Sequence, residues 1–519
     1  MEYVLLQAVF LPLLLSPVAY ILGRKYGPNA TTWFSFGVLL YCTILIVLAA
    51  MQGTYEEHYP WTEMFGEFGF LLDGLSSPFA IIIYVLSTIL VLYSKPYMIR
   101  HFTKQFEEQH HSEVASSGVQ TTAIIESTAL KEHVNKQSGL YFALFLVFAM
   151  GMLGTVLATN LIEFYVFFEV MLIPAFFLIA IWGVGPRRRI ALMFFFWTHT
   201  GAAILLLGFL TIGLSVGSFD FVDIKESEIP KDLALLAAVA IIIGLGVKLA
   251  AFMFHIWLPY AHAAAPTPIS ALLSPAMIGI GAYGIIRLII EFLPMQYADL
   301  AIWLHIWGVA TMIYGGAMAL MQDDIKRMFA YSSISQMGYL LFGLGSFSVL
   351  GVSGAEMMYI THALGKGLLF MSAGVLIVTV GTRSISKLGG LAGKMPITAT
   401  CAVIGALTIM GVPPTSGFMG EWILFYGALE TALEEGSTLR MVAFGLGLLA
   451  TVLTMSYLLW MLKRVFFGKL PENLTKVKEA SWYMTAPMMV LAGFTIVLGI
   501  YPDIFFEKII PYMNGVMGV

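Results

Sequence analysis

Runs of apolar residues separated by short polar turns fill this chain almost from end to end. Taking ~20 apolar residues as one bilayer crossing, the pattern predicts fourteen helices, near residues 3–22, 31–51, 78–98, 139–158, 160–183, 188–216, 233–262, 266–293, 300–320, 325–345, 350–380, 395–431, 440–464 and 482–501. The expected fold class is all-α, a polytopic membrane protein. Two runs are expected to be broken. The first, 233–262, carries Pro259 and is followed by Pro266 and Pro268, and the second, 395–431, carries Pro413 and Pro414. Proline removes a backbone donor and interrupts the helix ladder. A broken helix at membrane depth is tolerated only where it is buried in protein or lines water.

The two broken stretches resemble each other. Gly246-Val-Lys-Leu-Ala-Ala-Phe-Met-Phe-His-Ile-Trp257 aligns without a gap on Gly411-Val-Pro-Pro-Thr-Ser-Gly-Phe-Met-Gly-Glu-Trp422. They lie an odd number of predicted spans apart, so they run oppositely through the membrane. That is the inverted-repeat plan of transporters, with ion sites at discontinuous helices. The repeats are expected at helices 4–8 and 9–13. The chain then divides into N-terminal helices (1–99), a polar cytoplasmic loop (100–138), the first repeat (139–293), the second (300–464) and a C-terminal helix and tail (465–519), whose last residues suit a helix along the membrane surface.

Composition sharpens this reading. Hydrophobic residues make up 59% of the 519 and charged ones only 11%, against about a quarter charged in soluble domains. The two cysteines, Cys42 and Cys401, sit in apolar runs and match no iron–sulfur or zinc spacing. The run Tyr3 to Leu22 lacks a basic start and a small-residue cleavage site, so it reads as a retained helix rather than a signal peptide. With the first helix starting outside, 20 of the 27 lysines and arginines fall in inner loops. That bias predicts both termini on the extracytoplasmic side of a prokaryotic cell membrane.

Candidate chemistry lies in charges inside the apolar runs: Glu169, Lys248, Lys366 and Glu421. A lysine at mid-membrane costs roughly 2.5–3.5 kcal/mol, and such residues mark ion pathways. A Glu169–Lys248 pair in low dielectric changes its energy steeply with distance, so it either switches or statically ties two helices together. His362 and Lys366 are four apart and share a helix face, which suits a proton relay or a hydrogen-bonded core histidine. His255 and His262 flank Pro259 and either gate water or bond freed backbone. His199 is the more structural of the histidines. Ser332 and Ser333 belong to a polar stripe, Tyr331 to Gln336, that holds water or ties helices. Asp73 is expected to cap helix 3. His101, His110, His111 and His133, in the polar stretch, form a poor ligand pattern. No metal and no cofactor is expected.

These stretches resemble the antiporter-like membrane subunits of respiratory complex I, membrane-bound hydrogenases and multisubunit sodium/proton antiporters. The likeness rests on Phe167-Phe-Glu169 through Pro174 with Trp182-Gly183, on His255-Ile-Trp-Leu-Pro259 with Ala261-His262, and on Ala265-Pro-Thr-Pro-Ile-Ser-Ala-Leu-Leu273. It extends to Asp324-Ile-Lys-Arg327 with Ala330 to Tyr339, and to Gly411 to Glu421. Helix 5 and the proline and serine patterns are closest to the M-type subunit of complex I. The resemblance implies a glutamate–lysine pair at Glu169 and Lys248, a distal acid at Glu421, and the helix 11 pair at His362 and Lys366. It departs at helix 8, where Ser274 and Gly279 stand in place of a histidine or lysine. The central relay must then run through water or from Lys248 directly to Lys366.

The function expected is a proton-translocating, non-redox membrane subunit of a redox-driven pump, with antiporter-like paralogues and a peripheral redox arm as partners. The alternatives are a secondary sodium/proton antiporter subunit without a redox module, and a structural scaffold. Nothing in the sequence suggests nucleic-acid binding.

Overall fold

In the computed structural model the apolar runs are helices, and the order of elements follows from where polar residues interrupt them. The structure describes residues 3–62, 64–117 and 123–518, with the side chains of 109–126 left aside. The helices are α1 (Val4–Tyr26), α2 (Pro28–Met51), α3 (Ser76–Ser117), α4 (Ala123–Leu157), α5 (Leu161–Val170), α6 (Leu172–Trp182), α7 (Arg187–Val216), α8 (Phe221–Glu226), α9 (Lys231–Lys248) and α10 (Trp257–Ala264). There follow α11 (Thr267–Leu272), α12 (Ile280–Ile285), α13 (Pro294–Leu320), α14 (Ile325–Leu344), α15 (Val349–Thr379), α16 (Pro396–Ile409), α17 (Ser416–Glu434), α18 (Thr438–Val465), α19 (Trp482–Ile500) and α20 (Asp503–Met517). A π-helical turn at Leu273–Met277 lies between α11 and α12, and a second at Ile286–Ile290 extends α12, so that Thr267–Ile290 forms one stretch.

Among the described residues, 11 helical stretches are long and apolar enough to cross a membrane, which makes this a multi-pass membrane protein. The expected spans outside that set are α9–α10 and α16–α17, which are broken, and α14, which carries the serine row. Burial sorts the stretches into centre and rim. Thr267–Ile290 is buried over its whole apolar window and α15 over 94% of it, whereas α7 and α18 are buried over only 33%. The charged candidates on α9 and α15 therefore sit inside protein, and α7 and α18 present apolar faces outward.

Within this helical fold the described residues include one antiparallel hairpin, of β1 (Tyr55–Thr62) and β2 (Gly66–Leu72). Its buried Glu57 accepts hydrogen bonds from the backbone N–H groups of Leu5 and Leu6 at 3.0 and 2.9 Å. A carboxylate thus meets the open N-terminus of α1, where the helix dipole favours negative charge. The polar stretch 100–138 differs from the expected loop: its described parts continue α3 and begin α4. A run rich in Glu, Gln, Lys and His has good helix propensity, and two long helices already point that way. The side chains of His110 and His111 lie outside the described residues. At the other end, α20 turns Phe505, Phe506, Ile509 and Met513 inward, against α15 among other elements.

Close helix contact depends on missing side chains. Between α1 and α4, a Cβ on Gly23 would lie 2.3 Å from the Cα of Gly139, and one on Gly139 would lie 2.5 Å from the carbonyl oxygen of Tyr20. Gly139→Leu should therefore push α1 off α4, and over-packing of this kind costs about 1–3 kcal/mol. A lowered thermal midpoint in detergent, with α1 more open to protease, is the expected result.

Candidate functional site

The first broken helix is built by its neighbours. After α9 the chain leaves helical geometry over residues 249–256, with Ala250 at φ 53° and Met253 at φ 79°. The backbone groups this frees are taken up by side chains. Thr311 accepts from the Phe252 N–H at 3.1 Å, Trp307 donates to the Phe252 carbonyl at 2.9 Å, and Trp257 donates to the Val247 carbonyl at 3.0 Å. Such satisfaction is what allows irregular backbone at membrane depth. The prolines play a different part from the one expected. Pro259 lies inside the first turn of α10, beyond the break, where a helix needs few of its own N–H donors. Pro266 and Pro268 start α11.

Lys248 is the last residue of α9 and is 2% exposed. Its ammonium lies 4.5 Å from the centre of the Phe168 ring, a cation–π contact strengthened by desolvation. Glu169, next to Phe168, ends α5 and is within electrostatic reach of Lys248. The carboxylate itself is bonded elsewhere: His199 Nδ1 is 3.0 Å from Glu169 Oε2. Among the described residues no ion pair within 4.0 Å joins Glu169 to Lys248, so the expected pair is held apart with His199 on the acid. His199 is 48% exposed along its side chain and Glu169 18%, which puts this half of the pair at the rim. His255 Nε2 lies 2.9 Å from the Tyr314 hydroxyl.

The centre is a buried basic cluster. His262 and His362 are fully buried and neither has a hydrogen-bond partner on either ring nitrogen. Both lie within electrostatic reach of Lys366. Lys366 donates to the Phe329 carbonyl at 3.3 Å and closely to Ser332 Oγ. Ser332 is in turn 2.7 Å from the Tyr457 hydroxyl, and Tyr339 and Thr454 are linked at 3.3 Å beside it. Ser333 bonds instead to Ser274 at 2.7 Å and to the Phe329 carbonyl at 2.9 Å. Lys326, in the Asp324-Ile-Lys-Arg327 motif, is 1% exposed and donates to the Ala265 carbonyl at 2.5 Å. The helix 8 departure also has a physical form: a Cβ on Gly279 would lie 2.1 Å from the Tyr359 ring, so α15 fills the space a longer side chain there would need.

The second broken helix holds Glu421. Pro413 and Pro414 do sit in this break, between α16 and α17. Glu421 lines a cavity of about 300 Å³ with Gly411, Phe418, Trp422, Phe425 and Tyr426. Its Oε1 has no hydrogen-bond partner, and a Cβ on Gly411 would lie 2.3 Å from its Oε2. Tyr339 and Tyr457 are both within its electrostatic reach.

Sequence reasoning missed Tyr457 and Thr454, which look like ordinary residues of an apolar helix. It also missed a buried ionic cluster: Arg287 Nη2 is 2.7 Å from Asp73 Oδ2, and its Nη1 is 2.7 Å from Glu291 Oε2. Asp73 does cap the start of α3, accepting from the Ser76 N–H at 2.8 Å. Arg287 is 2% exposed.

The family described as "NADH:quinone oxidoreductase/Mrp antiporter, TM" matches residues 158–454. The chain belongs to that family. It is 32% identical over 525 residues to the NAD(P)H-quinone oxidoreductase chain 4 3 of Trichormus variabilis, covering 97% of this chain and 89% of the relative. It is 31% identical over 441 residues to the NADH-quinone oxidoreductase subunit M of Rickettsia prowazekii, covering 84% and 80%. Among solved structures, a chain of respiratory complex I from Thermus thermophilus superposes with a TM-score of 0.82 over 99% of both chains, at 23% identity, a likeness of fold. A chain of the Mrp complex from Dietzia sp. gives 0.81 at 25% identity, covering 99% of this chain and 52% of that one. A chain of a membrane-bound sulfane sulfur reductase, an archaeal respiratory membrane complex, gives 0.76 at 26%, covering 95% and 75%. The family match spans both broken helices.

Gly411 has φ +64°, so Gly411→Ala would place a side chain in left-handed backbone at roughly 1–2 kcal/mol and displace the Glu421 carboxylate. We expect a lower thermal midpoint together with weakened ion translocation; unchanged values of both would contradict this geometry.

Proposed function

We propose that this chain is the antiporter-like, proton-translocating membrane subunit of a multisubunit redox-driven pump, of the complex I or membrane-bound hydrogenase kind. The observation that carries the reading is the burial of two lysines, Lys248 and Lys366, in one membrane protein. A buried amine is costly unless it serves a pathway, and a static role would call for a close counter-ion, which neither lysine has within 4.0 Å among the described residues. The family's relatives are named as oxidoreductase subunits, which supports a parent complex with a redox arm and further antiporter-like subunits. The two cysteines match no iron–sulfur spacing, and electron transfer is assigned to the partners in this reading.

In this reading protons arrive from the cytoplasm at the first broken helix and load Lys248. Its proton affinity follows the distance to Glu169, which His199 holds when the pair is open. The charge passes to the centre, where the free ring nitrogens of His262 and His362 hold water beside Lys366. From Lys366 the hydroxyls of Ser332 and Tyr457 lead towards Glu421. Proton transfer needs groups within hydrogen-bond reach or one water away, and the Lys366–Ser332–Tyr457 row meets that requirement. The two broken helices, one in each proposed inverted repeat, supply the irregular backbone beside each half of the route. Both termini face the extracytoplasmic side, in line with the distribution of lysine and arginine.

The likeness to a chain of the Mrp complex favours one second reading, a sodium/proton antiporter without a redox module. Purification from native membranes in mild detergent separates the two: co-purifying redox subunits support the pump, and their consistent absence supports the antiporter. Within the pump, Lys248→Ala should abolish proton pumping by reconstituted vesicles while the complex still assembles and turns over; normal pumping would refute the role given to Lys248.

A further inference from the structure

Glu356 has no part in the route above, and its surroundings are unusual. It lies on α15, six residues before His362 and so ~9 Å along the axis. It is 1% exposed, and neither of its carboxyl oxygens has a hydrogen-bond partner. Burying a carboxyl without partners is strongly unfavourable, so its place in a packed helix calls for an explanation.

Its neighbours supply one. Glu356 is within electrostatic reach of Asp73 and Arg287, but that arginine is already fully engaged. It bonds Asp73, Glu291, the Tyr283 hydroxyl at 3.2 Å and the Tyr512 hydroxyl at 2.5 Å. The cluster continues from Glu291 to Lys225 at 3.1 Å, whose side chain is 57% exposed. Two cations, Arg287 and Lys225, thus face three acids, Asp73, Glu291 and Glu356. The first two acids hold the cations, and Glu356 is the surplus one. A static ion-pair role is therefore filled without it.

We propose that Glu356 is a proton-carrying residue between the amine centre and the Asp73–Arg287–Glu291 cluster, opening a route to the Lys225 surface that does not pass through Glu421. As a carboxylate, Glu356 accepts one proton relayed from Lys366 by way of His362 and bridging water, and becomes the neutral acid. It then gives that proton up on the cluster side, returning to the carboxylate, with no other bond made or broken. Tyr359, one turn along the same helix and bonded to the Ala276 carbonyl at 3.3 Å, walls this segment from helix 8. The inference rests on the translocation reading above.

The test uses the whole complex, purified from native membranes and reconstituted in vesicles, as wild type, Glu356→Gln and Lys366→Met. The amide keeps the shape of a side chain that makes no hydrogen bond, so Glu356→Gln is expected to assemble and turn over electrons while pumping fewer protons per electron than the wild type, the Glu421 route remaining open. Redox-difference infrared spectra of the wild type should also show a carboxyl C=O band that shifts in D2O and is missing from Glu356→Gln. Normal pumping by Glu356→Gln where Lys366→Met has lost it would overturn the Glu356 proposal alone. Normal pumping by both would overturn the translocation reading beneath it. Failure of Glu356→Gln to assemble, or carboxyl bands identical to the wild type's, would overturn the proposal in favour of a structural role.

Discussion

The structure turns on the cost of putting an ammonium group where water is scarce. Lys248 and Lys366 are both buried in a multi-pass membrane protein, and the fold is arranged to make that bearable. Lys248 rests on the face of Phe168, and Lys366 is bonded to a carbonyl and a serine. Neither arrangement provides the close carboxylate that would lock the charge in place. Each amine is thus held by an aromatic face or by neutral oxygens, and the acids are set aside. Glu169 is bonded to His199, and Glu421 is tucked under Gly411 with one oxygen unbonded.

The broken helices follow from the same constraint. A continuous helix uses all its backbone groups internally and leaves nothing to solvate a charge. Interrupting α9 just after Lys248 frees carbonyl and amide groups, and those of Phe252 and Val247 are bonded by Thr311, Trp307 and Trp257. The π-helical turns in the stretch between α11 and α13 are of a kind that recurs at functional sites. Their helix packs against α15, the element that carries Glu356, His362 and Lys366. In this chain α15 has the chemistry and the helix 8 stretch supplies a wall.

Most of the fold was legible because the bilayer forces it to be. Apolar length located the membrane-crossing part of most spans, although α3 and α4 run well beyond the expected 78–98 and 139–158, and Pro413 and Pro414 lie between α16 and α17. The first break was misattributed to Pro259 because proline content does not reveal that Ala250 and Met253 take left-handed backbone. The hairpin and the helical extensions of α3 and α4 were missed because polar stretches carry no membrane signal. Of the site, Lys248, Lys366, His262, His362 and Glu421 stood out as ionisable residues in apolar runs, and the structure buries the lysines and histidines fully. Tyr457, Thr454 and the Glu356 neighbourhood were invisible. A tyrosine in an apolar helix looks like packing until its hydroxyl is seen 2.7 Å from Ser332. Arg287 meets Asp73 from over two hundred positions away, a contact no local pattern announces.

Replacing Lys248 by arginine tests the central claim most directly, because it separates carrying a charge from releasing a proton. Arginine keeps the positive charge and stacks on an aromatic face, yet does not deprotonate in proteins. If Lys248 must release and regain its proton, the Lys248→Arg complex will assemble, pass electrons and fail to acidify vesicles. Wild-type acidification by that complex would contradict the account and leave Lys248 as a fixed charge.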